Sequence, residues 1–570
     1  MVNRISSIAD LEVYDPQFIT RYYRWRLLRV MGRALAILWP LLWFVLCLRW
    51  DQLWGQGDRK VPQRAEQLRK LLTDLGPTFI KVGQALSTRP DLVRKDYLEE
   101  LTKLQDQLPS FPSQEAFARI ESELGRPITE IYAQISPEPV AAASLGQVYK
   151  AQLHSGEWVA VKVQRPHLRE RLSLDLYLIR WASTWLGPWL PLNLGNTLTA
   201  VVDEFGRKLF EEIDYLQEGR NCERFAEYFR GDPDVYVPRI FWAYSTRRVL
   251  TLEWIDGIKL TDVERIRAAN LEVKQLVRIG VVAGLKQLLE YGFFHADPHP
   301  GNLFALPDGR LAYIDFGMMD QLSLETKEHL VDAVVHLINK DYEQLGQVYI
   351  KLGFLKPDTD MAPITRALET VLGDIMAEKV KDFNFKVVTD RFSRIMYEYP
   401  FCLPAKFALI IRSVVTQEGV ALTLNPEFRI VQVAYPYVAK RLLTDESESL
   451  RRRLLEVLFR NERFQWHRLE NLITIARSDG EFDLIPTAHM GLQYLFSPEG
   501  EFIRRRLLLA LTEDNRLHLA EIQRLWQLLV PELEPAKLWS AGWQAIAPVA
   551  AQFIASVPLL AGAFGNNLRV

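Results

Sequence analysis

Cysteine is scarce in this 570-residue chain. Cys47, Cys222 and Cys402 stand far apart, so they offer no disulfide framework and no CxxC zinc pattern. Nine histidines are scattered without an HExxH pair, which excludes that metalloprotease arrangement. A dominant charge is lacking too. Lys and Arg number 69 against 71 Asp and Glu, a net −2, and this balance gives no reason to expect nucleic acid as a partner. No internal repeat or low-complexity linker interrupts the sequence. Apolar and aromatic residues are plentiful. Hydrophobic residues make up 48%, with 15 Trp and 28 Phe, enough for a sizeable core and against disorder. At roughly 100–200 residues per domain, the length implies three or four domains or one large decorated one.

Two uncharged stretches stand near the ends. Arg21, Arg24, Arg26, Arg29 and Arg33 lead into fifteen uncharged residues, Ala34 to Leu48. A bilayer core needs about 20 apolar residues, so this run is short for a span. Pro40 disfavours a plain helix within it. A basic start resembles a signal peptide, but it comes late and no small-residue cleavage site follows. The expectation is an interfacial or re-entrant membrane element, with a buried helix of a large fold as the alternative. Leu538 to Leu568 is uncharged for 31 residues and opens with Trp539 and Trp543, which suit a headgroup belt. It reads as a span or shallow hairpin, or else as an Ala-rich helix packed on protein.

Between the ends, Val61 to Leu75, Thr78 to Leu86 and Asp91 to Gln107 read as helices, and Ser113 as the N-cap of another. Val148–Leu153 and Trp158–Val163 read as strands joined by a hairpin at 154–157. Residues 196–229 return to helix. Two strands are expected within Val235 to Val249, then Leu250–Trp254 as a third. From about Asp262 the pattern is mainly helical to Ala536, apart from a loop at His295–Asn302 and a short strand Leu311–Ile314. A small β-rich part before a larger helical part is an α+β two-lobe layout.

The strongest chemical signal is His295-Ala-Asp297-Pro-His-Pro-Gly-Asn302, followed by Ile314-Asp315-Phe-Gly317. Asp297 precedes Asn302 by five residues, the spacing of the kinase catalytic loop, and an Asp-Phe-Gly follows a strand. Phosphoryl transfer needs this set. One Asp orients the nucleophile, while an Asn and a second Asp hold Mg²⁺ on phosphate oxygens. His295 takes the place of the usual loop histidine and is expected to brace the loop; His299 has no assigned role. Upstream, Val159-Ala-Val-Lys162 matches the strand whose Lys meets the α- and β-phosphates. The nucleotide loop aligns on Ala141-Ala142-Ala143-Ser144-Leu-Gly146-Gln-Val148. Gly146 and Val148 are kept, but Ala141 and Ala143 replace the first two glycines. A methyl at each restricts φ and limits close approach to phosphate.

The helical stretch after residue 196 offers Glu211, Glu212, Asp214 and Glu218 as partners for Lys162. On one continuous helix, positions 212 and 218 lie about 240° apart. One can serve Lys162, and the other must face something else. Lys81-Val-Gly-Gln84 shares one helix face, with Gly83 permitting close packing.

These segments together resemble the UbiB family, also called ABC1 or ADCK atypical kinases. The matching stretches are Lys81–Gln84, Ala141–Tyr149, Val159–Pro166, Glu212–Asn221, His295–Asn302 and Ile314–Asp320, spread over a span of about 240 residues. The resemblance implies a protein-kinase-like fold whose KxGQ extension covers the place where a protein substrate would dock. It implies that Lys81 meets Glu212 and that Glu218 pairs with Lys162. It also implies ATP and Mg²⁺ as cofactors, with hydrolysis favoured over ordinary protein kinase activity. Asp297 is then catalytic. The loop residues Ala141–Ser144, Gly146 and Val148, with Lys162, Glu218, Asn302 and Asp315, bind nucleotide. Asn302 and Asp315 hold the metal, and Lys81, Gln84, Glu212 and Asp214 are regulatory. Members support isoprenoid quinone metabolism, ubiquinone or plastoquinone. Expected partners are therefore membrane lipids, quinone precursors and lipid-biosynthesis enzymes, at a bacterial inner or thylakoid membrane or an organelle membrane. A protein kinase and a nucleotide-binding scaffold are the alternatives. The first fits poorly, because no Ala-Pro-Glu follows Met318–Glu325. The expected segments are a membrane-associating region 1–60, a KxGQ extension 61–135, an N-lobe 136–260, a C-lobe 261–440, a further helical region 441–536 and an apolar tail 537–570.

Overall fold

The computed structural model describes residues 11–87, 93–104, 109–189, 197–338, 340–377, 404–444, 458–460 and 463–476, with residues 8, 401, 454 and 523. The apolar tail 537–570 and most of 441–536 lie outside the described residues. The chain divides into two compact units. One comprises 1–327, 349–372 and 384–428; the other comprises 328–348, 373–383 and 429–570.

The first unit begins with α1 (Pro16–Tyr23), capped by the Asp15 carboxylate on the amides of Gln17 and Phe18. Then comes α2 (Leu27–Leu53), continuous through Pro40. The sequence reading held that Pro40 disfavours a plain helix. Proline forfeits one backbone bond and strains one turn, and the apolar residues on both sides keep the helix going. At 27 residues α2 is long and apolar enough to cross a membrane, and little of it is buried. The alternative of a buried helix is thereby corrected.

Helices α3 (Val61–Leu75) and α4 (Pro77–Leu86) follow, separated by Gly76. The expected helix 91–107 is a shorter α5, Lys95–Leu101. Ser113 is the first residue of α6 (Ser113–Leu124), and Pro112 takes the cap position expected of it. A short α7 (Ile128–Ile131) enters an antiparallel sheet in the order β1 (Tyr132–Ile135), β3 (Gly146–Leu153), β4 (Trp158–Gln164), β6 (Val249–Glu253). Strand β2 (Ala141–Ala142) pairs with β3 on its flank. The inward side chains of β3 and β4 alternate, so Tyr149, Ala151, Val159, Val161 and Val163 are fully buried with Ile120 of α6. This is the N-lobe.

The sequence reading named no element for residues 168–186, where α8 (Leu168–Leu186) lies. Its Asp175 is buried and takes Arg33 of α2 at 2.7 and 3.0 Å and the Thr78 hydroxyl of α4 at 2.6 Å. A charge this deep is tolerable only because it is paired and hydrogen-bonded. The stretch 196–229 is two helices, α9 (Leu198–Glu212) and α10 (Tyr215–Tyr228), where one was expected. Ile213 closes the first, and Asp214 caps the second by accepting the Leu216 amide. The expected strand pair in 235–249 reduces to β5 (Val235–Tyr236) and a 3₁₀ turn at Trp242–Tyr244.

The C-lobe starts with β7 (Ile258–Lys259), α11 (Val263–Ala268) and α12 (Val273–Leu285), the last continuing into a π-helical turn at Lys286–Tyr291. Strands β8 (Phe293–His295), β9 (Leu303–Ala305), β10 (Leu311–Tyr313) and β11 (Met319–Gln321) bracket the motifs. β9 pairs with β10, and β8 with β11. The helix Ala405–Leu424 packs on α12. In the second unit, Val431–Thr444 packs on Trp466–Ala476, and Arg468 meets Asp341 at 3.4 Å.

Candidate active site

Two antiparallel strand pairs carry the site. β8 and β11 place His295 opposite Met319, so the loop between His295 and Leu303 and the loop of Asp315 emerge side by side. The Ile314 amide donates to the Asn302 carbonyl at 3.1 Å, and the Ala296 amide to Met318 at 2.8 Å. His295 is buried. Its own amide donates to the Gln287 carboxamide in the π turn at 2.9 Å, and its Nδ1 accepts the Asp297 amide at 3.1 Å. That histidine therefore fixes the backbone of Asp297. His299 Nδ1 accepts the Gly301 amide and caps the 3₁₀ turn Pro300–Asn302.

Lys162 sits on β4 opposite Val148 of β3. Its ammonium pairs with Glu218 in the first turn of α10 and lies 3.8 Å from Asp315 Oδ2. Burial pulls this ammonium down, but the carboxylates of Asp315 and Glu218 outweigh that and hold it above the ordinary lysine range. Glu218 also takes the Phe316 amide at 3.5 Å, and Asn221 one turn on donates to the Phe316 carbonyl at 3.0 Å. Asp315 Oδ1 accepts the Gly317 amide at 2.9 Å. Burial pushes the Asp315 carboxyl up. Lys162, the Gly317 amide, His295 and Lys81 outweigh it and keep the carboxyl below its usual range.

Lys81 pairs with Glu212, the last residue of α9. The Glu212 Cγ lies only 3.8 Å from where a Cβ on Gly317 would sit, so this second pair abuts the Asp315 loop. The two glutamates thus serve two lysines from two helices, where the sequence reading put both on one. Gln84 donates to the Leu104 carbonyl at 3.1 Å. A Cβ on Gly83 would run into Leu104 and come within 2.9 Å of Leu72, which explains a glycine in the Lys81–Gln84 turn. Asp214 is the α10 cap.

The segment expected to be the nucleotide loop is two strands joined by a bend at 143–145. Ala141 and Ala142 pair with Val148 and Gln147. Arg165 Nε and Nη2 donate to the Ala143 carbonyl at 3.0 and 2.8 Å, and Nη2 reaches the Pro109 carbonyl at 2.8 Å. Gln147 exchanges two hydrogen bonds with the backbone of Phe111, at 3.1 and 3.2 Å. Ser144 is buried. A Cβ on Gly146 would strike the Tyr215 hydroxyl and lie 2.5 Å from the Val163 carbonyl.

One functional contact has no sequence signal. Arg412, on the helix Ala405–Leu424, places Nη2 at 2.5 Å from Asp297 Oδ2. It is 115 residues away and outside every motif. Arg165 was at hand within Val159–Pro166 and was overlooked, because its role is to hold a carbonyl.

A strand lysine paired to a helix glutamate, an Asp–Asn loop and an Asp-Phe-Gly in one cleft define a protein-kinase-like fold. The ABC1 atypical kinase-like domain matches residues 103–349. An uncharacterized Synechocystis protein is 62% identical over 541 residues, covering 95% of this chain and 96% of its own length. The chloroplastic protein ACTIVITY OF BC1 COMPLEX KINASE 1 of Arabidopsis thaliana is 46% identical over 522 residues, covering 89% of this chain and 76% of its own. Among solved structures, that of a Mycobacterium tuberculosis protein in complex with erythromycin is 27% identical with a TM-score of 0.46, covering 67% of this chain and 97% of that one. The chain belongs to the ABC1, or UbiB, family of atypical kinases.

Proposed function

We propose that this protein is a membrane-associated atypical kinase or ATPase that binds and hydrolyses Mg·ATP in support of isoprenoid-quinone or other prenyl-lipid metabolism. The observation that carries the reading is Lys162 held between Glu218 and Asp315, with Asp297 on the neighbouring loop. Lys162 meets the α- and β-phosphates, and Glu218 positions it. Asp297 orients the attacking hydroxyl or water and takes its proton, while Arg412 fixes that carboxylate. Asp315 and Asn302 offer the oxygen donors a hard divalent cation takes. Magnesium bound there would neutralise charge on the phosphate oxygens. The Lys81–Glu212 pair beside Gly317 stands as a plug, which favours a small or lipid-borne acceptor over a docked protein.

The apolar length of α2 and the chloroplastic and Synechocystis relatives favour a bacterial inner or thylakoid membrane. Membrane lipids and quinone precursors are the partners this setting supplies, with lipid-biosynthesis enzymes beside them. The test is Mg·ATP binding and turnover on liposome-bound full-length chain. At saturating nucleotide, wild type should gain a few kcal/mol of stability by mass action, and Asp315→Asn should lose the Mg²⁺-dependent part. An unchanged melting shift in Asp315→Asn overturns the reading.

A further inference from the structure

Helix α2 turns a narrow stripe to the protein and a broad one outward. Ile37, Phe44 and Asp51 recur at seven-residue spacing on the packed side. The outward surface is apolar: Leu35, Leu38, Trp39, Leu42, Trp43 and Leu46 are all exposed. No charge interrupts it between Arg33 and Arg49, while Arg24, Arg26 and Arg29 stand exposed at its N-terminal end. A second element adds to it. Leu178 and Ile179 of α8 join the cluster that holds Ile37 and Leu41. Beyond them Trp181, Trp185 and Trp189 are 58%, 65% and 85% exposed. Water-facing indoles at this density mark an interaction surface.

We propose that this surface is a lipid-docking face that seats α2 in the plane of an anionic bilayer. The arginines lie on headgroup phosphates and the indoles at the interface. The proposal rests on the membrane-associated reading above and adds the face and its orientation. An in-plane seat follows from what covers the other side. α2 packs on α3 and α8, Arg33 is clamped to Asp175, and Asp51 pairs with Lys60 and Arg64 of the next segment. α3 exposes Glu66, Lys70 and Asp74. A crossing α2 would carry these charges into hydrocarbon, where charged side chains are strongly disfavoured. The combination of basic end, wide apolar face and polar backing fits a lipid surface better than a second protein, whose interface would not need a cationic rim on one end.

The experiment is flotation of the full-length chain with phosphatidylcholine vesicles, with and without phosphatidylglycerol. Wild type should float with the anionic vesicles and lose binding as salt rises. Leu35→Glu/Leu42→Glu/Leu46→Glu and, separately, Trp181→Ala/Trp185→Ala/Trp189→Ala should each weaken partitioning about tenfold or more. Arg24→Gln/Arg26→Gln/Arg29→Gln should flatten the salt dependence; all nine positions are exposed, so unchanged melting curves verify folding. If wild type fails to float, the membrane reading itself falls. If wild type floats and the variants float equally, membrane association stands and this docking face is overturned. If the variants instead abolish dimerisation in scattering measurements without changing flotation, the face is a self-association surface and the proposal is overturned. Orientation is read separately, with Cys47, Cys222 and Cys402 replaced by serine. Arg24→Cys and Arg49→Cys should both react with an impermeant maleimide from outside sealed vesicles. Protection of one of them until detergent is added would mean a crossing helix and overturn the in-plane seat.

Discussion

Asp297 Oδ2 is 2.5 Å from Nη2 of Arg412, so the carboxylate in the loop between His295 and Asn302 is oriented by a helix that lies beyond every recognisable motif. Removing that guanidinium should let the carboxylate rotate away from its productive direction. Arg412→Gln should lower kcat for ATP hydrolysis by roughly tenfold while leaving the nucleotide Kd unchanged, since positioning losses fall on the reacting step. Arg412→Lys should restore part of the rate. A variant that weakens ATP binding as much as turnover would place Arg412 on the nucleotide instead. Asp297→Asn should cost more, roughly 10²-fold, again with binding retained.

The Lys81–Glu212 pair is mostly buried, with 6% and 14% of the side chains exposed. Lys81→Met removes the cation of this pair, and loss of one partner of a buried pair costs about 3 kcal/mol. Lys81→Met/Glu212→Gln removes the charge from both and should recover most of the stability. Urea unfolding of the two singles and the double gives the coupling directly. Near-additive losses would show that the two residues do not act as a pair.

Ala143 is held at its carbonyl by two donors from Arg165. Arg165→Gln should loosen the loop, and Ala143→Gly should free its backbone by roughly 1 kcal/mol. Both variants should change the ATP or ADP affinity several-fold, where 1.4 kcal/mol is tenfold. Isothermal titration with each nucleotide measures it. Unaltered affinities in both variants would mean the loop does not shape the site.

Burial holds the His295 imidazole below its ordinary value, against the pull of Asp315 and Asp297. Its folded pKa is therefore the lower one. As pH falls through about 6.5, the unfolded chain takes up a proton that the folded chain refuses. Stability should drop in that window and level off below the folded pKa. The urea midpoint of wild type should fall between pH 7.5 and pH 5 by more than that of His295→Gln. Equal falls in the two proteins would remove His295 from the acid sensitivity.

Much of the site was legible because its residues sit in short contiguous strings whose spacing is set by one turn or one strand. Asp297 to Asn302 is a single loop, and Lys162 follows a hairpin that alternation of apolar residues makes plain. What escaped was decided at longer range. The break at Ile213 and Asp214 hides inside a stretch with helical composition, although an Asp followed by Glu218 in the next first turn is an N-terminal signature. Pro40 looks like a helix breaker by local rules, yet the turns on either side outvote it. Arg412 has no local pattern at all, because its partner is supplied by the packing of the helix Ala405–Leu424 on α12. Leu168, Leu172 and Leu176 do recur at helical spacing, and Arg and Glu residues between them mask the stripe.

The break at Ile213 and Asp214 has a further consequence. Glu212 closes one helix and Glu218 lies in the first turn of the next, so the direction of one carboxylate is not tied to that of the other by a shared helix axis. On one continuous helix the two carboxylates would stand about 240° apart and face different sides. With the backbone divided here, each carboxylate meets its own lysine, and the Asp315-Phe316-Gly317 loop is flanked by two ion pairs of separate origin.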